Sequence, residues 1–354
     1  MGQSHIHEFI RGLPKCEHHV HLEGCLTPEL IFQLAKKNNI QLPSPEADPS
    51  YESEQTLAER YKRFTSLDDF LAFYFRGMDV LVGESDFEDL AFSYFQQAKA
   101  DGVHHAEVFF DPQVHEDRGI PYDTIVEGFS TGCKRAEKEL GLSTRLILCF
   151  VRHLSVDSAR HVYEEAIDRK HFESDTIHGI GWSSTEVGPP KDMYRDLYAS
   201  AKSKGIHLTA HAGEEGDASY ISTALELGAT RIDHGIHLIE DPVLMERVAK
   251  AGILFTLCPL SNVELRCVKS IDEVPIRKFL DAGVKFSINC DDPAYFGGYI
   301  LDNYLAVEDA FHLSVDDWRT IARNGVTGSW IDEAREKELL AKIDEHVSKY
   351  RALL

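Results

Sequence analysis

The stretch CEHHVHLEGCLTP, residues 16–28, reads as a strand running almost directly into a helix. Residues 16–22 are short and partly alternating, as a strand requires. Thr27 then offers an N-cap hydroxyl, and Pro28 suits the first helical position, where its missing N–H costs nothing. A strand feeding a helix is the opening half of a βαβ unit. Seven more apolar runs repeat the pattern, at 105–110, 145–151, 177–182, 206–211, 232–237, 253–257 and 284–289. Their starts recur about every 38 residues, room for a strand, a crossover helix and two loops. Eight such units predict an α/β fold, a TIM-type (β/α)8 barrel with additional helices, spanning 1–354 as one domain. A doubly wound open sheet is the other fold to weigh, but no G-x-G-x-x-G opens any helix here.

Outside the strands, Ser314 followed by Asp317 caps a C-terminal helix carrying Trp318 and Ile321. Residues 42–56 are rich in Pro, Ser and acids and read as an exposed loop. The aromatic stretch with Phe70, Phe73, Tyr74 and Phe75 reads first as core packing, with a lid over a pocket as the alternative. There is no internal repeat, low-complexity tract or interdomain linker.

Composition narrows the class of function. Thirty-seven Lys and Arg face 59 Asp and Glu, a net charge of −22, which argues against a phosphate-tracking nucleic-acid surface. No apolar run nears the roughly 20 residues that span a bilayer, and the N-terminus lacks the apolar core of a signal peptide. The expectation is a soluble protein of the cytoplasm, with the nucleus also open to it. Seven scattered cysteines without a C-x-x-C predict reduced, mostly buried thiols. The 18 histidines are the remaining oddity.

On a strand, residues i and i+2 share a face, so His19 and His21 point the same way, and two imidazoles on one face can hold a metal ion. His5 and His7 have the same spacing, but in what reads as a frayed N-terminus. In the first strand Val20 and Leu22 suit the helix-facing side, leaving Glu17, His19 and His21 for the interior. In 206–211 the apolar residues Ile206, Leu208 and Ala210 take the outer face, so His211 points inward at the strand's C-terminal end. In 284–291 alternation prefers Asp291 to Asp292 as an inward carboxylate. Three histidines and one carboxylate at C-terminal strand ends are where barrel enzymes place active sites, and they make an ordinary zinc set. One ion is expected, because the fourth strand lacks the lysine that bridges two-metal barrels. Zinc would lower the pKa of a bound water toward about 7. Glu214, on a glycine-punctuated turn three residues after His211, and His234, ending the sixth strand, complete a catalytic set; Glu215 and the other histidines read as solvated or structural.

The segments LPKCEHHVHLEG, LTAHAGEEG, RIDHGIH, LCPLSNVEL and FSINCDDPAYFGGYI resemble the adenosine/adenine deaminase family of mononuclear zinc barrels, a likeness running from about Leu13 to Tyr350. Glu23 stands where adenosine-acting members usually carry a ribose-contacting Asp, which aligns the chain with the adenine-acting branch. The resemblance implies His19, His21, His211 and Asp291 as ligands of one Zn2+, Asp291 also relaying a proton, and Glu214 as proton donor. It implies His234 beside the attacking hydroxide, with Glu23, Ser184 and Asp292 at the substrate, Asp292 on N7 and the backbone near Ser184 on the N3 edge. The expected reaction is hydrolysis of adenine to hypoxanthine and ammonia, within purine salvage. Deamination of adenosine or another 6-aminopurine, and a non-catalytic purine-binding role, are the alternatives. The partner is then a small purine, with no nucleic acid and no membrane; oligomeric state is not readable. One departure stands out: the branch usually reads Gly-Leu-Asp-Ser-Ser-Glu where this chain has Gly181-Trp182-Ser183-Ser184-Thr185-Glu186. With Asp replaced by Ser183 and Leu by the bulky Trp182, a narrowed or altered base pocket is expected.

Overall fold

The computed structural model describes residues 3–351. Eight parallel strands follow one another in sequence order around a ring: β1 (Lys15–Glu17), β2 (Val103–Phe110), β3 (Ser143–Val151), β4 (Gly179–Ser183), β5 (His207–His211), β6 (Arg231–Asp233), β7 (Leu254–Leu257) and β8 (Lys285–Ile288). Helices connect and surround them, giving the TIM-type (β/α)8 barrel. The ring closes beyond the formal ends of β1 and β8. There the His21 N–H donates to the Asp291 carbonyl at 3.0 Å, and the Asp291 N–H donates to the His19 carbonyl at 2.9 Å. The seam of the barrel is therefore built from the same residues that were expected to bind metal.

β1 is shorter than the predicted 16–22 strand, and the interruption after Glu17 changes one assignment. Glu17 does not share the interior with His19 and His21. Its carboxylate accepts from the Cys290 N–H at 2.9 Å and from the hydroxyl of Tyr94, on the outer helix Glu84–Ala100, at 3.4 Å. His5 and His7 lie in a helix, Gln3–Gly12, where residues two apart do not share a face, so that pair makes no ligand set.

The helix signals hold at both marked ends. Thr27 Oγ1 accepts the Leu30 N–H ahead of Pro28–Asn38, and Ser314 and Asp317 form a reciprocal capping box ahead of Val315–Gly328. Residues 42–56 are more structured than expected. Tyr51 is buried within a 3-10 turn, Pro49–Glu52, and Ser53 caps the helix Glu54–Tyr61. Pro49 opens that turn and Ser53 caps the helix, whereas residues 42–48 form the exposed loop that was expected.

The lumen is layered. At its floor Arg231 of β6 pairs with Glu107 of β2 at 2.5 Å, and Trp330 covers the guanidinium at 4.0 Å and stacks on His207. The pair holds together this deep because Glu107 is further hydrogen-bonded by His105 and the Trp330 N–H, while the guanidinium, whose Nε and Nη2 have no hydrogen-bond partner, lies against the Trp330 ring. Above it lie Phe109, Ile147 and Cys149, an apolar cluster separate from the main core outside the strands. Gly181 leaves room there, since a Cβ would sit 3.1 Å from Thr209 and 3.3 Å from Phe109. The polar site rests on this dry layer. All seven cysteines are free, six of them buried. No helix among the described residues is long and apolar enough to cross a membrane.

Candidate active site

His19, His21, His211 and Asp291 converge at the top of the lumen. His19 Nε2 lies 3.0 Å and His21 Nε2 3.6 Å from Asp291 Oδ1, and His21 Nε2 lies 3.2 Å from His211 Nε2. Four donors about 2.1 Å from a common centre in a tetrahedron would lie roughly 3.4 Å apart, so the spacing fits one zinc-sized ion.

The protonation states agree with that reading. Burial holds His19 and His21 down to about 3, with the Arg231 charge adding to the effect at His19. His211 is pushed well below the usual range by burial and then by neighbouring imidazoles. All three rings are thus neutral and able to offer lone pairs. Asp233 sets which nitrogen does so. Thr256 donates its single hydroxyl proton to Asp233 Oδ1 at 2.9 Å, so Thr256 Oγ1 must accept from His19 Nδ1, also at 2.9 Å. His19 Nε2 is left without a proton or a protein partner, facing Asp291. The other Asp233 oxygen accepts from Thr209 at 2.7 Å and lies 3.5 Å from His211 Nδ1. A carboxylate behind two metal-binding histidines fixes their tautomers and orientation.

The residues that would act on substrate leave their strands through left-handed backbone: Ser184 at φ +77°, His234 at +61° and Asp291 at +63°. Such conformations are costly for residues with a Cβ and cluster at functional sites. His234 accordingly lies just past β6 rather than ending it. Asp291 lies beyond β8, where Ser261 donates to its Oδ2 at 2.6 Å. Glu214 follows Gly213, whose φ of +75° turns the chain. Glu186 holds that turn, its carboxylate accepting from the N–H groups of Gly213, Glu214, Glu215 and Gly216 at 2.6–3.0 Å. Glu214 Oε2 consequently stands 3.6 Å from His234 Nε2. Burial, then the charges of Asp291 and Glu186, raise the Glu214 carboxyl well above its usual range. Burial holds His234 neutral, and Asn262 Nδ2 donates to its Nδ1 at 3.3 Å, leaving the proton on Nε2.

Above these groups lies a pocket. Asp111, Ser183, Ser184, Glu214, His234, Asp291 and Asp292 form its polar side. Leu67, Phe70, Leu71, Tyr74 and Phe75 of the helix Leu67–Gly77 form its apolar wall, together with Leu265. The aromatic stretch is core and pocket wall at once. Asp292 fits closely because Gly24 faces it; a Cβ at 24 would sit 2.0 Å from Asp292 Oδ1.

Two expectations change. Trp182 does not narrow the pocket. It turns outward onto Tyr194 and Tyr198 and donates its Nε1–H to the His211 carbonyl at 2.9 Å, while Ser183 takes the inward position. Strand alternation puts neighbours on opposite faces, and Trp182 has the outer one. Glu23 is fully buried behind the wall rather than on it, accepting from the Asp111 N–H and from His115 Nε2, both at 3.0 Å. Asp111, Glu186, Asp233 and Arg152 were given no role from the sequence, and Tyr74 only that of core or lid. Arg152 links two site segments by donating to the carbonyls of His211 and Ser184. Asp233 carried a signal in its place beside His234, and Glu186 in matching the Glu that closes the Gly-Leu-Asp-Ser-Ser-Glu pattern.

The profile of the Adenosine deaminase family matches residues 14–346. The chain is 72% identical over 350 residues to the adenine deaminase of Aspergillus fumigatus, covering 99% of both proteins. The crystal structure of adenine deaminase from Arthrobacter aurescens superposes with a TM-score of 0.89 at 41% identity, covering 95% of this chain and 99% of that one. An amidohydrolase from Burkholderia ambifaria with bound Zn superposes at 0.85 and 27% identity, covering 99% and 95%.

Proposed function

The chain belongs to the adenosine deaminase family, and on that premise we propose that it hydrolyses adenine to hypoxanthine and ammonia. The observation that carries the reading is the pocket's order: a ligand set for one ion at the floor, with Glu214 and His234 beside it and Asp292 on the wall. His19, His21, His211 and Asp291 would hold one Zn2+. When bound, the ion supplies the Lewis acidity that makes hydroxide available from water at neutral pH.

The chain's own groups account for the rest. Glu214, kept neutral by burial, is the acid that protonates N1, so that the ring accepts electrons as oxygen adds at C6. His234, with its proton on Nε2, hydrogen-bonds the incoming oxygen and steadies the charge developing there. Asp291, its geometry fixed by Ser261, takes the water's proton and returns it to the C6 amino group. The C6–N bond then breaks to release ammonia, and the added hydroxyl gives its proton back to Glu214 as the C6 carbonyl forms. Asp292 orients the base through N7, and the left-handed backbone at Ser184 faces the N3 edge. The aromatic helix wall holds the flat ring and keeps bulk water from the reacting carbon. Deamination of a free purine base supports a role in the salvage of such bases, which is the role proposed for the protein.

Ammonia release from adenine by purified protein, with metal content measured on the same sample, tests the reading. One zinc per chain and turnover that falls about 10²- to 10⁴-fold in Glu214→Gln, with the metal retained, are expected. Equal or better turnover of adenosine, or a Glu214→Gln variant as active as the parent, would overturn it.

A further inference from the structure

Asp111 is a buried carboxyl on the pocket wall to which the chemistry above gives no task. It follows β2 and is 1% exposed. Its Oδ2 accepts the Tyr74 hydroxyl proton at 3.0 Å, whereas Oδ1 has no partner in the protein. A buried polar oxygen without a partner is unfavourable, and on a pocket wall the ligand is the group that can complete it. The position is also built. The Asp111 N–H is fixed by Glu23 Oε1, which accepts from His115 Nε2 as well, and Arg118 donates to the far nitrogen of that ring at 2.7 Å.

Topology indicates which ligand atom Asp111 meets. Because the strands circle the pocket in sequence order, side chains at their upper ends surround a flat ligand in that order too. Asp292 follows β8, Asp111 follows β2, Ser184 follows β4, Glu214 follows β5 and His234 follows β6. A purine read around its edge presents N7, N9, N3, N1 and then C6. With N7 at Asp292 and N1 at Glu214, the atom left for Asp111 is N9.

We infer that Asp111 hydrogen-bonds N9 of the purine and thereby selects free bases over purines substituted at that atom. The inference rests on the proposed purine reading of the pocket. A free base carries one proton on its imidazole edge, at N9 or at N7, so N9 is a donor in one tautomer and an acceptor in the other. A carboxyl can answer either, and burial beside Glu23, which raises Asp111 well above the usual range, keeps its acid form available. A purine bearing a sugar or methyl at N9 offers neither a proton nor a lone pair, and sets bulk against Asp111 and Tyr74. Such a mismatch leaves buried polar groups unpaired, the situation in which polar sites discriminate most strongly.

The test is a cycle between one residue and one ligand atom. Inhibition constants of hypoxanthine and of 9-deazahypoxanthine, which has C–H in place of N9, are measured on the zinc-loaded parent and on Asp111→Ala. The parent is expected to prefer hypoxanthine by about ten- to hundredfold, and Asp111→Ala to lose most of that preference. 9-Methyladenine should be a far poorer substrate than adenine for the parent. Equal binding of the two inhibitors by the parent, or an undiminished preference in a folded Asp111→Ala, would overturn the inference. Should Asp111→Ala not fold, the parent's ratio and that of Tyr74→Phe, in which Asp111 loses its anchor and the preference should shrink, decide it. A parent that releases no ammonia from adenine overturns the underlying reading instead, so the two failures are told apart.

Discussion

Asp233 touches no substrate, yet it governs two of the histidines expected to hold the metal. Its oxygens accept from Thr256 and Thr209, and through Thr256 it keeps the His19 proton on Nδ1. Asp233→Asn replaces one acceptor by a donor and disturbs that chain. A 10- to 100-fold loss of zinc affinity is expected, read by competition with a chelator. Lys15 plays a comparable part away from the site. Its ammonium donates to the carbonyls of Ile10 and Leu13 at 2.7 and 3.0 Å, satisfying backbone groups left open at the end of the N-terminal helix. Residue types announce such roles poorly, because a buried Asp or Lys acquires its task from partners distant in sequence.

At the scale of elements, the eight short β-strands are scaffolds whose ends leave extended geometry where chemistry is placed. Alternation located His211 because β5 runs as far as that residue. It also selected Asp291, although β8 stops at Ile288 and the left-handed turn at Asp291, not the pleat, aims the carboxylate. The turn carrying Glu214 depends on Glu186, four backbone N–H groups converging on one carboxylate. Glu186→Ala should lower kcat about tenfold or more, with zinc content unchanged, because a small displacement of a catalytic acid is expensive. Trp182 belongs to the interface between β4 and the helix Arg195–Ser203. Trp182→Leu should therefore cost about 2 kcal/mol of stability, seen in denaturant unfolding, and leave the ratio of adenine to adenosine turnover unchanged. A changed ratio would restore the narrowed-pocket expectation.

For the whole molecule, the net charge of −22 says nothing of a site whose carboxylates are almost wholly buried. Global stability should respond to pH through histidines outside the site. Burial lowers His104 and His178 to about 4, with Lys342 adding at His104 and Arg145 at His178. The unfolded chain takes up protons near pH 6.5, before the folded one does, so stability falls as pH drops from about 6.5 toward 4. The urea midpoint should decline across that window, and His178→Gln should flatten the decline. The order of eight βα units, the inward His211, the pairing of His19 with His21 and the caps at Thr27 and Ser314 were all determined by local pattern, since side-chain period and backbone hydrogen bonding act over a few residues. Tertiary structure alone decided that Glu23 lies behind Asp111, that Glu17 faces a helix, and that Asp233, Glu186 and Arg152 orient the site. Those arrangements depend on which distant partner fills each buried hydrogen bond, a matter settled only when the ring closes.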